Sequence, residues 1–556
     1  MKKQNPNSKM KTKHKKNHDS SPADRSSFGY RCSARTHLTY LILNYFKIIV
    51  TILLVHSAKT LVAGDLTLAG IFTNNAVIQR NASAPVWGWG DPGEQVTVTF
   101  AGQTHTATAD SSGKWLVRLT PLGVNAHGQT LQVQTNTANR SVSINNVVIG
   151  DVWLCSGQSN MAWVFWQTVA AVPELSAFHK NLNNPNLRFS SVPFPNPLPS
   201  EPLINVSAPW QTANKDTAVN VSAIGVLFGD AVQKALGIPI GILVSSRGGT
   251  NIETWTPSDI VLNNPLYATY QANTKNVGTQ NQIGMMYNGM IAPIIDYAFA
   301  GVLWYQGEGN VWDVGNYDQR IANLISAWRT RSGRTDAPFI MSELAPLLKH
   351  TTDAAEKIAP IDLRPRDCAR TRFGETLAKA ARIDGRAWTI TITDAGEKYN
   401  IHPVDKRVPA ARFAAMALSK VYHQPGIAHG PIYQSMTVAN GVANVVLDSV
   451  GSGLIAKTIV LSGHALKAET LEGFEIAGAN KVFYRAQAAI SSTNSVNVWH
   501  PEVPTPVAVR YAWANFPLCN LYNTEGFAAY PFRTDSWAWQ TPADPAALKV
   551  NNRLAP

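Results

Sequence analysis

Residues 147–424 alternate short apolar runs with stretches of helical periodicity, and this alternation constrains the fold more than any other feature. Runs of strand length lie at 152–155, 238–244, 301–305, 339–344 and 389–393, and helical spacing of apolar residues appears over 222–236, 317–331 and 409–421. Strand, turn and helix in repetition predict a mostly parallel, doubly wound sheet. The Pro-rich stretch 193–202 and the stretch 254–287 interrupt the pattern, and we interpret both as inserted loops on the substrate side.

Two segments of period-2 alternation flank this region. They contain short strand-like runs such as QVTVTF and KWLVR, separated by turn signals such as DPG and SSG. Strands at that spacing predict small β-sandwiches. A chain of 556 residues is also too long for one core. The predicted organisation is a leader (1–63), an N-terminal β-sandwich (64–146), an α/β domain (147–425), a C-terminal β-sandwich (426–540) and a tail (541–556).

The formal net charge of +12 belongs to the N-terminal segment. Residues 1–63 hold 12 of the 48 Lys and Arg but only 2 of the 36 Asp and Glu. The rest of the chain is therefore nearly neutral, which argues against a nucleic-acid partner. The same segment places a basic leader before the apolar residues 48–55 and the small residues Ala58 and Ala63, an order typical of an export signal. We expect a secreted or periplasmic protein that meets a membrane only if the signal is uncleaved; a start at Met1 or at Met10 stays open.

The cysteines predict no metal centre. Cys32 falls in the leader, and Cys155 falls in a predicted buried strand, where it reads as a small core residue. A disulfide between Cys368 and Cys519 stays open. The chain contains no His, Cys and Asp cluster with ligand spacing, so we expect neither a metal nor a cofactor.

The first apolar run of the α/β region ends in Ser-Gly-Gln-Ser-Asn. In open α/β sheets, ligands bind at the carboxyl edge of the strands. A serine on a strand-to-helix turn there can attack a substrate while backbone N–H groups hold the oxyanion. Ser159 is therefore the candidate nucleophile. The alternative is an ordinary loop whose polar side chains satisfy turn hydrogen bonds.

Three further loops of similar character follow later strands. One contains Arg247, Gly248 and Gly249, the next contains Gln306 and Glu308, and the last contains His402. Glycines permit close backbone approach, and the Asn160 and Gln306 amides offer neutral N–H donors. A late histidine in a loop can take the proton of Ser159, although a lone loop histidine is more often a surface residue.

Five segments together resemble the sialate O-acetylesterase family, within the SGNH-type hydrolases: GDVWLCSGQSNMAW, SSRGGTNIETW, YNGMIAPI, WYQGEGN and IHP. The likeness spans about residues 66–539. It implies a flavodoxin-like three-layer α/β/α domain flanked by β-sandwich domains, and hydrolysis of carboxylic esters. It also implies Ser159 as nucleophile, His402 as general base, and an oxyanion hole formed by the Ser159 N–H, a glycine of the pair Gly248-Gly249 and the Gln306 side chain.

The chain departs from the family pattern at two places. Asn400 replaces the aspartate that usually precedes the histidine, so the residue that orients His402 is open among Asn400, Asp394 and Glu397. An amide can accept an N–H bond but stabilises imidazolium less well than a carboxylate does. The Arg-rich segment 348–387 also fits poorly, and we interpret it as a divergent substrate loop or an error in the sequence.

The resulting prediction is a serine esterase that removes O-acetyl groups from sialic acid or related sugars, with an O-acetylated carbohydrate as its partner. Two alternatives stay open: a deacetylase of xylan-type polysaccharides, and a carbohydrate-binding protein that has lost catalysis, which the Asn400 replacement motivates. The candidates for substrate contact are Gln158, Asn160, Arg247, Asn288 and Glu308.

Overall fold

The computed structural model describes residues 65–136, 140–311, 313–348 and 369–537. The predicted leader, the tail, Cys32 and Cys368 lie outside the described residues. Within the described ranges, no helix is long and apolar enough to cross a membrane. Cys155 and Cys519 are both free thiols in the interior.

The N-terminal part consists of seven strands: β1 (Thr67–Leu68), β2 (Val77–Gln79), β3 (Pro85–Trp89), β4 (Gln95–Phe100), β5 (Gln103–Thr108), β6 (Lys114–Arg118) and β7 (Asn125–Thr135). Strands β1, β3 and β6 form one antiparallel sheet, and β4 pairs with both β5 and β7. Alternate residues of β4 (Val96, Val98 and Phe100) point into the core, as a half-buried strand requires.

Strand β8 (Ser141–Gly157) connects these strands to the central sheet. Its first half pairs antiparallel with β7 and its middle pairs parallel with β2, whereas its second half lies inside the central sheet. Residues 147–157 are all buried, which matches the continuous apolar run expected of a strand covered on both faces. The sequence predicted only a short strand here. The start of β8 alternates exposed residues with buried or half-buried ones whereas the rest is continuously buried, so no single pattern marks the whole strand.

The central sheet adds six strands: β9 (Asn183–Ser191), β10 (Gln211–Asn214), β11 (Ile240–Ser246), β12 (Gly301–Tyr305), β13 (Phe339–Ser342) and β14 (Ala387–Ile390). The spatial order is β10-β9-β11-β8-β12-β13-β14, and all neighbours are parallel except β10. The chain fills one side of β8 first and the other side from β12 onward, so the winding direction reverses at β8. This order differs from the flavodoxin order 2-1-3-4-5, because β11 lies between β8 and β9.

In the described part of the chain, ten α-helices accompany the sheet: α1 (Ser159–Ala162), α2 (Phe165–Ala171), α3 (Leu175–Asn181), α4 (Ala223–Leu236), α5 (Ile252–Trp255), α6 (Ser258–Leu262), α7 (Ala268–Gln271), α8 (Tyr317–Ser332), α9 (Ala369–Asp384) and α10 (Arg407–Lys420). Single turns of 3-10 or π geometry lie at Pro265–Tyr267, Thr274–Asn276, Tyr287–Ile291 and Ala292–Ile294. Helices α4 and α10 pack together, as do α8 and α9.

Local signals explain the start of α4, whereas α9 and α10 differ from the sequence prediction. Ser222 caps α4 by accepting the Gly225 N–H, as its position predicts. Helix α10 begins at Arg407, so Pro409 is its third residue rather than its first. A proline is tolerated in the first turn because N–H groups there lack intrahelical acceptors. Helix α9 occupies part of the Arg-rich segment that the sequence suggested was a loop or an error.

The C-terminal part is built of strands β15 (Ile432–Ala439), β16 (Val442–Asp448), β17 (Leu454–Ala456), β18 (Ile459–Leu461), β19 (His464–Leu466), β20 (Phe474–Ala477), β21 (Phe483–Arg485), β22 (Gln487–Ser492), β23 (Ser495–Trp499), β24 (Ala508–Tyr511), β25 (Leu521–Asn523) and β26 (Phe532–Arg533). Two four-stranded antiparallel sheets, β15-β16-β23-β22 and β21-β20-β24-β26, enclose a hydrophobic cluster separate from the main core. The predicted domain bounds stay a prediction, since one core spans residues 66–428.

Candidate active site

Ser159 lies where β8 ends and α1 begins, at the strand whose neighbours reverse the winding of the sheet. The Gln158 N–H donates to the carbonyl of Tyr305 at the end of β12 (2.9 Å), which holds the turn against that strand. Ser159 is the first residue of α1, a position whose N–H has no intrahelical acceptor. The turn thus presents a hydroxyl and an N–H at the carboxyl edge of the sheet.

His402 reaches this serine from the other end of the domain. Its Nε2 is 2.8 Å from Ser159 Oγ, although 243 residues separate the two in sequence. The imidazole is half-buried beside Trp163, with ring centroids 5.6 Å apart. Burial and, second, the nearby Lys406 charge lower the pKa of His402 below its usual 6.5. The neutral imidazole that can accept a proton is therefore the form favoured near neutral pH.

Gly248 lies directly beside Ser159. A Cβ at this position would lie 3.1 Å from the Ser159 Cβ, so a side chain there would crowd the candidate nucleophile. Within the described residues, the Gly248 N–H donates to no protein acceptor. The carbonyls of Gly248 and Gly249 accept hydrogen bonds from Gln280 (3.0 and 3.3 Å), which fixes the loop. The N–H groups of Ser159 and Gly248 are thus both available to an oxyanion.

Gln306 is fully buried, and its amide is engaged within the protein. Its Nε2 lies 2.8 Å from Asn310 Oδ1, 3.0 Å from the Thr250 carbonyl and 3.2 Å from Gln158 Oε1, while Tyr317 donates to its Oε1 (2.5 Å). These partners fix the orientation of the amide and occupy both of its hydrogens. In this structure Gln306 supports the loops and directs no free donor at Ser159.

Gln158 ties the first loop to the third. Its Oε1 accepts the N–H groups of Gly307 (3.1 Å) and Gly309 (3.2 Å) and lies in the same network as Gln306. The side chain is buried, so its role in this structure is to fix the relative position of the two loops. The predicted substrate contact for Gln158 stays a prediction.

Asn160, next to the candidate nucleophile, joins three separate elements. Its Nδ2 donates to Glu308 Oε1 (2.5 Å) and to the carbonyl of Ile401 (3.0 Å), and its Oδ1 accepts from Lys406 Nζ (2.6 Å). Ile401 directly precedes His402, so this amide ties the serine turn to the histidine loop. Lys406 was not predicted as a site residue, because a lysine four residues after a loop histidine is normally a solvated side chain.

Buried charges surround this amide. Lys406 is 1% exposed, and burial lowers its pKa to about 7 even though Glu308, Glu397 and Asp405 oppose that shift. Burial also raises the pKa of Glu308, which Arg370 and the Asn160 amide partly offset. The Glu308 carboxyl and the Lys406 amine are thus both hydrogen-bonded to the Asn160 amide, next to Ser159 and His402.

None of the three candidate orienting residues is hydrogen-bonded to the His402 ring within the described part of the chain. Asn400 Oδ1 accepts the His402 backbone N–H (3.0 Å), and Asn400 Nδ2 donates to Glu397 Oε2 (2.9 Å). Asp394 forms a two-pronged ion pair with Arg412 (2.6 and 2.7 Å). Among the described residues, the side chain hydrogen-bonded to the ring is that of Ser159.

Arg247 and Asn288 hold the two inserted loops. The exposed Arg247 guanidinium lies 3.8 Å from the Phe194 ring centroid and donates to Gln280 Oε1 (2.9 Å). Asn288 is buried and donates to the Ser200 carbonyl (2.8 Å). Arg247 is therefore placed at a solvent-facing edge of the site, and Asn288 is a structural tie.

Comparisons with known proteins point to carbohydrate esterases. A family model described as carbohydrate esterase, sialic acid-specific acetylesterase matches residues 149–369, which places the protein in the class of carbohydrate esterases. The sialate O-acetylesterase of Homo sapiens is 28% identical over 501 residues, 84% of this chain and 91% of that protein, and that of Mus musculus is 27% identical over 535 residues, 83% and 93%.

A solved structure resembles most of this chain. The carbohydrate acetylesterase of Xanthomonas citri is 30% identical with a TM-score of 0.73, covering 85% of this chain and 100% of that one. The chain therefore belongs to the sialate O-acetylesterase family.

Proposed function

We propose that this protein is a carbohydrate O-acetylesterase that uses Ser159 as nucleophile and His402 as general base. The observation that carries the proposal is the 2.8 Å contact between Ser159 Oγ and His402 Nε2 at the carboxyl edge of the central sheet. A hydroxyl hydrogen-bonded to a neutral imidazole is the arrangement that activates a serine. We further propose that the sheet and its helix pairs α4/α10 and α8/α9 form the three-layer core of an SGNH-type hydrolase.

The reaction follows from the positions of these groups. Ser159 Oγ bonds to the acetyl carbon while His402 Nε2 takes its proton, and the carbonyl oxygen becomes an oxyanion facing the N–H groups of Ser159 and Gly248. Collapse of this intermediate breaks the bond to the sugar oxygen, which receives the proton from His402. Water then attacks the acetyl-serine while His402 takes its proton; the bond to Ser159 Oγ breaks, His402 returns the proton to Oγ, and acetate leaves.

O-acetylated sialic acid or a related sugar is the proposed substrate, since the human and mouse relatives are named sialate O-acetylesterase. A xylan-type polysaccharide is the alternative within the same chemistry. We also propose that the protein is secreted or periplasmic, on the order of basic, apolar and small residues in its first 63 positions.

Acetate release from an aryl acetate, O-acetylated sialic acid and acetylated xylan tests the proposal. Wild type should release acetate, and Ser159→Ala should lose at least 10³-fold in kcat. Ser156→Ala is the matched control: this serine is buried in β8 with an unpartnered hydroxyl, so its loss should leave activity unchanged. Full activity in Ser159→Ala would contradict the mechanism. The three substrates separate the sialate and polysaccharide alternatives.

Asn400 favours one competing function, a carbohydrate-binding protein without catalysis. The amide replaces an acid, and it binds the His402 backbone rather than the imidazole. If wild type binds O-acetylated sugars but releases no acetate from any substrate, that function replaces the esterase.

A further inference from the structure

A cavity of about 540 Å³ lies away from Ser159, between the α/β region and the C-terminal strands. Helix α9 and strand β14 form one wall, and residues 429–433, 513 and 530–533 form the other. The volume is within the range of about 300–1,000 Å³ typical of small-molecule sites. Neither Ser159 nor His402 lines it, so the cavity is separate from the candidate active site.

Glu343 provides a buried polar group in the wall of this cavity. The residue is 6% exposed and follows the end of β13, and the Thr391 hydroxyl lies beside its carboxyl. Burial raises the pKa of this carboxyl to about 7, against the opposing effects of Thr391 and Arg412. A carboxyl has two oxygens that can accept several hydrogen bonds, so one neighbouring hydroxyl leaves acceptor sites for a ligand or water.

The space beside this carboxyl depends on Gly374. A Cβ at position 374 would lie 2.9 Å from Glu343 Cδ and 3.0 Å from its Oε1. Glycine on this face of α9 thus leaves the carboxyl room to face the cavity. Helix α9 otherwise carries larger side chains toward the core, such as the buried Phe373 and Leu377.

Aromatic rings supply the apolar part of the lining. Trp388 is partly exposed, and Tyr433 stacks on Phe532 with ring centroids 5.1 Å apart. The Arg533 guanidinium lies over the Trp513 ring, 5.6 Å from the centroid of that ring. A pyranose fits such a lining, because its C–H faces pack on aromatic rings while its hydroxyls reach polar groups at the edge.

The charges favour a neutral sugar over an anionic one. Arg533 is paired with Glu375 through two hydrogen bonds (2.9 and 3.2 Å), so its charge is matched. Arg382 is exposed at the rim, whereas the inner wall presents the Glu343 carboxyl. A carboxylate ligand placed against Glu343 would meet a like charge.

We propose that this cavity is a second carbohydrate site that binds a neutral pyranose residue, with Glu343 accepting hydrogen bonds from its hydroxyl groups. The site would hold a glycan through an unmodified sugar while Ser159 acts elsewhere. The proposal goes beyond the esterase reaction and stands without it, because none of its residues takes part in that reaction.

Ligand-observed NMR on the full chain tests the site with methyl β-D-galactopyranoside and methyl β-D-xylopyranoside, which lack acetyl groups, and with N-acetylneuraminic acid as the anionic comparison. We expect a neutral pyranoside to bind wild type. Glu343→Gln should weaken pyranoside binding about tenfold. Trp388→Leu, which removes an aromatic ring, and Ala378→Leu, which fills the cavity, should also weaken it. The control Glu469→Gln changes an exposed carboxyl and should bind like wild type.

Aryl acetate hydrolysis provides the folding control, since all four variants should retain it. Absence of neutral pyranoside binding overturns the proposal, as does binding that is equal in wild type and the three cavity variants, because that would place the sugar elsewhere. If N-acetylneuraminic acid binds more tightly than the neutral pyranosides and the cavity variants weaken its binding, the assigned ligand class is overturned. A dead esterase with an intact pyranoside site would refute the proposed function alone.

Discussion

Lys406 Nζ donates a 2.6 Å hydrogen bond to Asn160 Oδ1, although 246 residues separate the two in sequence. The same amide donates to Glu308 and to the carbonyl before His402. The side chain beside the candidate nucleophile is thereby tied to the residue that precedes α10. Asn160 and Lys406 are positioning residues in this arrangement, because they act through Ser159 and His402.

Asn160→Ala should lower kcat on the order of 10²-fold while KM changes little, because the serine turn and the histidine loop lose their common tie. Steady-state kinetics on an aryl acetate measure the split between the two constants. Asn263→Ala, which removes an exposed amide that donates to the Asp259 carbonyl rather than to the histidine loop, is the control. Unchanged kcat in Asn160→Ala would show that the two loops hold their positions without the amide.

The acid limb of kcat/KM should report His402 and lie below pH 6.5, since burial and the Lys406 charge both lower its pKa. Lys406→Met removes the charge, so the pKa of His402 should rise and the limb should move to higher pH. It should stay below 6.5, because the larger cause, burial, remains. Lys180→Met, at an exposed position, should leave the profile unchanged. A limb that moves to lower pH in Lys406→Met would contradict the assignment.

Asn400→Asp should destabilise the fold at neutral pH by about 1–2 kcal/mol, because it replaces an amide donor 2.9 Å from Glu397 with a second carboxylate. Such a pair raises the pKa of one carboxyl above its unfolded value. The destabilisation is therefore present above that pKa and is relieved as pH falls through it. Thermal unfolding at about pH 7 and pH 5 measures the effect.

The double variant Glu397→Gln/Asn400→Asp restores one amide and one carboxylate. Its thermal unfolding midpoint at neutral pH should therefore return to that of wild type. Equal midpoints for Asn400→Asp and wild type at both pH values would indicate that the two side chains separate in solution.

Gly307→Ala should lower the free energy of unfolding by about 1–3 kcal/mol, because its Cβ would lie 2.1 Å from the Phe373 ring. Gly333→Ala provides the comparison: its φ is 67° and a Cβ there meets nothing within 4 Å, so only backbone strain of about 1 kcal/mol is expected. Denaturation midpoints of the two variants separate the clash from the strain. A smaller loss for Gly307→Ala than for Gly333→Ala would contradict the packing.

Local patterns predicted the elements that local physics controls. The bounds of β12 and α8 lie within a residue of those read from apolar runs and periodicity. Every residue of β12 is buried, which requires a continuous apolar run, whereas α8 buries one face, which requires helical spacing. The same patterns missed the full length of β8 and the helix α9. Strand β8 changes partners midway, so it shows no single periodicity over its whole length. Helix α9 buries Phe373, Leu377 and Ala381 at helical spacing, but the arginines among them and the poor match to the family pattern hid that spacing in the sequence.

The sequence by itself determined the family and named Ser159 and His402, because short motifs at strand ends specify which side chains a parallel sheet collects at its edge. Only the tertiary structure decided that these two meet at 2.8 Å, that Gln306 points into the protein, and that Lys406 is buried against Asn160. Burial and pairing between residues more than 200 positions apart depend on how strands are ordered in space. A lysine or a carboxyl has the same local signature whether solvent or the protein surrounds it.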